Sequence, residues 1–263
     1  MTDLTWQRAL VTGASAGIGE AICRVLAAAG TDLVVVARDR ERLTALADDL
    51  SATHSVKVEV LAADLCDRLG LDEVAARIGE AGEPVDLVVN NAGFAIAGDF
   101  TELSPDGVGA QIDLNVTAVA QLTHAAVGAM TSRGRGSIVN VASLAGLAPG
   151  PGIAVYSATK AFVSNLGLSL AAELHGTGVT VTTVHPGFTH TEFQHRSGYG
   201  ASRLPEFLWQ SADTVAAEAV AAAREGRSHV VTGWPNRVTA GLLGLVPRTV
   251  LSRAVKTLSR LVG

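Results

Sequence analysis

Ala9-Leu10-Val11-Thr12-Gly13-Ala14-Ser15-Ala16-Gly17-Ile18-Gly19 is the stretch that decides the fold. An apolar run stops at Thr12, glycines follow at Gly-x-x-x-Gly-x-Gly spacing, and an alanine-rich helical pattern opens at Gly17. Strand, tight turn and helix in that order make the first half of a βαβ unit. A helix N-terminus presents unpaired N–H groups and the positive end of its dipole, so such a turn can hold a pyrophosphate. Glycines there let the backbone approach phosphates closely. Gly13, Ser15, Ala16, Gly17, Ile18 and Gly19 are the candidate contacts. The spacing is not the Gly-x-Gly-x-x-Gly of the usual dinucleotide fingerprint, and alone it fits an ordinary glycine-rich βα turn equally well.

The same alternation repeats along the chain. Short β-branched runs at 9–12, 32–37, 56–62, 86–90, 137–142, 179–184 and 229–232 read as strands. Helical patterns fill 17–29, 40–50, 69–80, 105–130, 153–175 and 213–224. Each strand is nearly all apolar, as expected where both faces of a sheet are covered. The expectation is one α/β domain over 1–263, a doubly wound Rossmann-type parallel seven-stranded sheet with helices on both faces. Composition agrees: 48% hydrophobic, 17% charged and only 4% aromatic, with 28 glycines, so the core is aliphatic. A net charge of −5 argues against nucleic acid as a partner. Cys23 and Cys66 read as two buried thiols in a reducing compartment. The first residues have neither a basic nor an apolar leader pattern and no apolar run spans a bilayer, so the protein is expected to be cytoplasmic.

Two stretches break the alternation. Residues 185–211 read as a long loop, with a substrate lid at about 188–211. The tail at about 236–263 interleaves Arg237, Arg248, Arg253, Lys256 and Arg260 with Leu and Val. It can lie on a membrane surface, cover the lid or pack between subunits.

Cofactor choice is read at the end of the second strand, where an acidic residue binds a ribose 2′-hydroxyl and an arginine a 2′-phosphate. Ala37 stands at the acidic position and Arg38 follows, which favours NADP, with Ser15 able to add a hydroxyl. The competing reading makes Arg38 a solvated residue beside Asp39, the N-cap of the next helix.

Tyr156-Ser157-Ala158-Thr159-Lys160 puts a phenol and an ammonium at i and i+4, on one helix face. A free tyrosine titrates near ~10, and a neighbouring ammonium is expected to lower that value. In the reducing direction the phenol is the acid that protonates a developing alkoxide. Ser143 ends the fifth strand and Asn90-Asn91-Ala92-Gly93 the fourth, both at the carboxyl edge where open α/β sheets bind ligands. Asn115 falls mid-helix, where its propensity is poor and its amide needs partners.

These motifs in this order, over roughly 8–192, resemble the short-chain dehydrogenase/reductase family in its compact single-domain branch. The resemblance rests on Thr-Gly-x-x-x-Gly-Ile-Gly at 12–19, Asp64, Asn-Asn-Ala-Gly at 90–93, Asn115, Ser143, Tyr156 with Lys160, and Pro186-Gly187. It implies a catalytic tetrad of Asn115, Ser143, Tyr156 and Lys160, with Lys160 also on the nicotinamide ribose and Asn115 holding a water behind it. It implies that Asp64 contacts the adenine amine, with Leu65 also a cofactor contact, and that Asn91, Ala92 and Gly93 line the adenosine side. Pro186, Gly187, Thr189 and Thr191 would serve the carboxamide and pyrophosphate. The family habit is a homodimer or homotetramer, and the apolar faces of 105–130 and 153–175 are compatible with it.

The substrate is expected to be a small carbonyl or alcohol, apolar or lipid-like, because the lid supplies Phe188, Phe193, Leu204, Phe207, Leu208 and Trp209, with Phe94, Leu144 and Leu147 across the cleft. A 3-oxoacyl-carrier-protein reductase is the alternative enzyme. A non-catalytic NADP-sensing regulator is the alternative of another class, though a sensor does not need a phenolic acid. His185, His190 and His195 recur on a loop whose spacing fixes no coordination geometry, and no metal site is expected.

Overall fold

The computed structural model describes residues 4–198 and 205–245. Among them run β1 (Arg8–Thr12), α1 (Gly17–Ala28), β2 (Asp32–Ala37), α2 (Arg40–His54), β3 (Val58–Ala62), α3 (Arg68–Gly79) and β4 (Leu87–Asn90). Then come α4 (Pro105–Ile112), α5 (Val119–Arg133), β5 (Gly136–Val141), α6 (Ala154–Glu173), β6 (Val179–His185) and β7 (Phe188–His190). The rest are α7 (Glu192–Ser197), β8 (Trp209–Ser211), α8 (Ala212–Arg224), β9 (His229–Val231) and α9 (Trp234–Leu245). Seven strands form one sheet in the order β3-β2-β1-β4-β5-β6-β9, and every pairing is parallel.

Strand geometry explains the uninterrupted apolar runs, since successive side chains point to opposite faces. Ala9, Val11, Leu33, Val35, Leu87 and Val89 pack into one core with Ile22 and Leu26 of α1, Leu43 and Leu50 of α2, and Ala219 of α8. Leu10, Val34, Val36, Val88 and Ile138 pack into the other with Leu71 and Val74 of α3 and Leu122 and Met130 of α5. Each fully buried aliphatic side chain contributes roughly 1.5–3 kcal/mol. Burying both faces this way leaves only the strand ends open for polar chemistry.

Four sequence expectations are corrected. Cys23 is buried in the core, but Cys66 lies exposed in the turn before α3. The single helix over 105–130 is interrupted by a π-helical segment, Asp113–Ala118, between α4 and α5. Asn115 sits in that segment and binds a neighbouring loop backbone, which favours the wider turn. The stretch 185–211 is not a bare loop: β7 and β8 pair in parallel, with α7 between them. The tail does not begin at 236, because α9 already starts at Trp234, with Pro235 near its N-terminus where a missing N–H costs nothing. Leu204, the tail beyond 245 and the side chain of His195 lie outside the described residues.

Candidate active site

The carboxyl ends of the adjacent strands β1, β4, β5 and β6 carry Thr12, Asn90 to Gly93, Ser143 and Pro186-Gly187. At β1 the chain turns through Gly13 at φ +65 and Gly17 at φ +59, the left-handed region that side chains resist. Space is as tight as the backbone. A Cβ at Gly13 would stand 2.8 Å from Asn91 Nδ2, one at Gly17 would stand 3.0 Å from the Thr191 methyl, and one at Gly19 would overlap the Gly13 carbonyl. α1 opens at Ala16 with no side-chain cap, so its first N–H groups face outward as free donors. Ser15, Ala16 and Ile18 line the same half-buried turn.

Thr12, which the sequence reading placed in the motif without a role, clamps this turn. Its hydroxyl donates to Val89 O at 3.2 Å and accepts from the N–H groups of Asn91 and Ala92 at 3.0 Å each. Asn91 Nδ2 donates back to Thr12 O at 2.9 Å. A buried hydroxyl at a strand end was the available signal. At β2 the half-buried Ala37 ends the strand, and Arg38 projects into solvent, 3.8 Å from Asp64 Oδ2. Asp64 Oδ1 accepts from Cys66 N at 2.9 Å, and Leu65 is buried beside it. Asp39 does cap α2, accepting from Arg42 N at 3.1 Å.

The second cluster gathers Ser143, Tyr156, Lys160 and Asn115. Ser143 follows β5 and caps the short turn Leu144–Gly146, its Oγ accepting from Ala145 N at 3.1 Å. Its side chain also stands close enough to the Tyr156 phenol to influence its titration. Lys160, buried one turn along α6, donates from Nζ to Val141 O at 2.8 Å and lies 5.8 Å from the Tyr156 ring centroid. Asn115 is fully buried: its Oδ1 accepts from Phe94 N at 3.1 Å, and its Nδ2 donates to Phe94 O at 2.8 Å and Thr159 Oγ1 at 3.1 Å. Gly93 joins the two groups, because a Cβ there would stand 3.0 Å from Asn115 Oδ1 and 3.4 Å from Lys160 Nζ.

Titration in this cluster is set by burial. Desolvation pushes the Tyr156 phenol up to about 12, outweighing the Ser143 hydrogen bond that acts in the other direction. Desolvation also brings Lys160 down to about 8. The expectation of a phenol lowered by its lysine neighbour is therefore reversed for the protein's own groups, which favour a neutral phenol beside an ammonium.

The β6 end closes the cleft. Pro186 O accepts from Leu144 N at 2.9 Å, tying the β6 loop to the Ser143 turn. The Asn236 side chain fills the space a Cβ would need at Gly187. Thr189 is buried and donates to Gly187 O at 3.1 Å, and Thr191 lays its methyl against Gly17. From α7 the Phe193 ring meets Tyr156 at 5.6 Å between centroids, while Phe188 meets Trp209 at 5.6 Å. His185 is buried against Ser164 at 3.0 Å, and His190 pairs with Glu206 at 3.0 Å, so these histidines have local partners.

The short chain dehydrogenase family model matches residues 7–200. A sulfoacetaldehyde reductase of Chromohalobacter salexigens is 38% identical over 214 residues, covering 81% of this chain and 84% of that protein. A short-chain dehydrogenase from Sphingobium yanoikuyae, solved in complex with NADPH, superposes with a TM-score of 0.80 at 36% identity, over 92% of this chain and 96% of that one. The bulky-bulky ketone specific alcohol dehydrogenase from Comamonas testosteroni superposes with a TM-score of 0.79 at 30% identity, over 94% and 96%. With sheet order, glycine turn and matched sequence in agreement, the chain belongs to the short-chain dehydrogenase family of oxidoreductases.

Proposed function

We propose that this chain is an NADP(H)-dependent reductase of carbonyl compounds, running also as the alcohol dehydrogenase, with an apolar substrate. The observation that carries the reading is the convergence of Ser143, Tyr156, Lys160 and Asn115 next to the glycine turn at one sheet edge.

The residues present fit a dinucleotide. Uncapped N–H groups at Gly17, Ile18 and Gly19 suit its pyrophosphate, and the close packing of Gly13 on Asn91 and Ala92 holds that turn against the loop after β4. The exposed Arg38, with Ala37 in place of a carboxylate and Ser15 in the turn, suits a 2′-phosphate. Asp64 and Leu65 would take the adenine, and Asn91 and Ala92 would line the adenosine side. Lys160 would hold the ribose, with Pro186, Gly187, Thr189 and Thr191 on the carboxamide side. When bound, the nicotinamide supplies a hydride to a carbonyl carbon or takes one from an alcohol carbon. Ser143 orients the carbonyl oxygen by hydrogen bonding. Tyr156 donates its phenolic proton to that oxygen as negative charge develops, and Asn115 and Lys160 position the path by which the proton is restored. A phenol held neutral is the form reduction requires, which supports the reductive direction at neutral pH.

Phe193 against the phenol, with half-buried Phe94 in the loop after β4 and half-buried Leu144 and Leu147 after Ser143, supports an apolar substrate. The bulky-ketone enzyme among the structural relatives is consistent with that reading. Titration with NADPH and NADH, followed by ketones of rising chain length, tests both parts. The expected result is tighter NADPH binding, weakened about tenfold in Arg38→Ala, and kcat/KM rising with chain length. Tighter NADH binding, or a flat chain-length response, overturns the corresponding part. A homodimer or homotetramer is proposed as well, supported by exposed Phe162 and Leu168 on α6 and a shallow Ala-lined depression at Ala120, His124 and Ala125 of α5; sedimentation velocity checks it.

A further inference from the structure

We propose that Arg42 and Glu192 form a strap that slows release of the dinucleotide, an inference that rests on the cofactor assignment proposed above. Three successive residues at the start of α7 reach three different elements. Thr191, just before the helix, lays its methyl 3.0 Å from where a Cβ at Gly17 would stand. Glu192 accepts from Arg42 Nη1 of α2 on both carboxylate oxygens, at 2.9 and 3.1 Å, across 150 positions of sequence. Phe193 sets its ring 5.6 Å from that of Tyr156 on α6. On the preceding side β7 is paired with β8, Phe188 with Trp209, Thr189 with Gln210 and His190 with Ser211. The chain from 188 to 193 is therefore held by sheet pairing at one end and by these contacts at the other.

A dinucleotide seated as proposed runs from Arg38 past Gly17 to Tyr156. Those are the places the three residues reach, since Arg42 lies in the first turn of α2, whose N-cap Asp39 directly follows Arg38. The segment joining them covers the cofactor's path, and the ion pair carries that cover to the adenosine half. An exposed ion pair alone is ordinary, because ordering two long side chains offsets most of its gain. Here Thr191 and Phe193 already fix the backbone on either side of Glu192, so less ordering is left to the pair. Arg42 also has Asp39 Oδ2 at 3.5 Å, so two carboxylates match its charge and favour the strap over a direct phosphate contact. Arg38, 75% exposed and 3.8 Å from Asp64, keeps its guanidinium open to the 2′-phosphate. Both strap partners are about half exposed, at 47% and 46%, so the effect on release is a few-fold one.

Stopped-flow displacement of NADPH, and separately of NADH, from the full chain, Arg42→Gln, Glu192→Gln and the double variant tests this without reference to turnover or substrate. Each single substitution is expected to speed release of both dinucleotides by about two- to fivefold. The double variant should release no faster than either single one, because the two changes remove one interaction. Hydrogen exchange of the α7 amides in the cofactor-free chain should quicken by a similar factor in each variant. Wild-type release rates in folded variants, or unaltered α7 exchange, overturn the proposal. Faster release of NADPH alone from Arg42→Gln, with tighter NADPH binding by Glu192→Gln, overturns it in favour of Arg42 as a ligand of the 2′-phosphate. Failure of the wild-type chain to bind either dinucleotide overturns the cofactor assignment and the strap with it, whereas binding with unchanged release overturns the strap alone.

Discussion

Replacing Lys160 by Met is expected to make the protein more stable and less active. Lys160 is 4% exposed, and burial depresses its titration from 10.5 to about 8. That displacement corresponds to roughly 3 kcal/mol by which the folded chain disfavours the ammonium it carries at neutral pH. Methionine fills a similar volume without a charge. The substitution leaves Val141 O without its 2.8 Å partner, which costs about 1–2 kcal/mol. The net gain is about 1–2 kcal/mol, or a rise in Tm of about 2–8 °C at this chain length. The sign follows from the depressed value. The cost is fully present below pH 8, where folded and unfolded chains are both protonated, and it fades as pH rises from 8 to 10.5. Urea unfolding of both proteins at pH 7 and again near pH 10 is the assay, with turnover measured alongside. A Met variant less stable at pH 7, or a gain unchanged at pH 10, refutes the reasoning.

Gly17→Ala forces a side chain into the left-handed region at φ +59 and toward the Thr191 methyl at 3.0 Å. A loss of about 1–2 kcal/mol in urea unfolding is expected, together with weaker NADPH binding; unchanged stability contradicts the geometry. Burial and then the neighbouring His229 hold His185 down at about 4, against 6.5 for a free imidazole. Stability is therefore full above pH 6.5 and falls as pH drops from 6.5 to 4, by about 3 kcal/mol. Denaturant midpoints across that window should flatten in His185→Asn, and an unaltered slope argues against the assignment.

The sheet was legible because its strands are buried on both faces, so composition alone marks them. Val34, Val35 and Val36 need no periodicity to be read as a strand when either face meets helices. The clustering of Ser143, Tyr156 and Lys160 was legible because Tyr156 and Lys160 share a helix face by spacing, and Ser143 sits where a strand must end; their catalytic roles are the proposal. The break in the long helix was visible only as the misfit of Asn115, since a π-helical segment has no period of its own to detect. β7 and β8 are three residues each, too short to alternate, and their pairing depends on tertiary contact across 188–211. α9 was obscured by Pro235 and Gly241, which interrupt a helical pattern without preventing the helix. The role of Thr12 went unread because threonine at a strand end is common, and only the fold reveals that its hydroxyl joins β1 to Asn91. The direction of the Tyr156 shift was misjudged because desolvation depends on packing, which residue spacing does not convey.

In the proposed reaction the Tyr156 phenol delivers the proton while the rest of the site binds and orients. Tyr156→Phe removes one oxygen and leaves Lys160 on Val141 O and the glycine turn untouched. Single-turnover loss of NADPH absorbance with a ketone substrate should slow by roughly a hundred- to ten-thousandfold while NADPH binding stays within about threefold. Turnover retained at the wild-type rate contradicts the account.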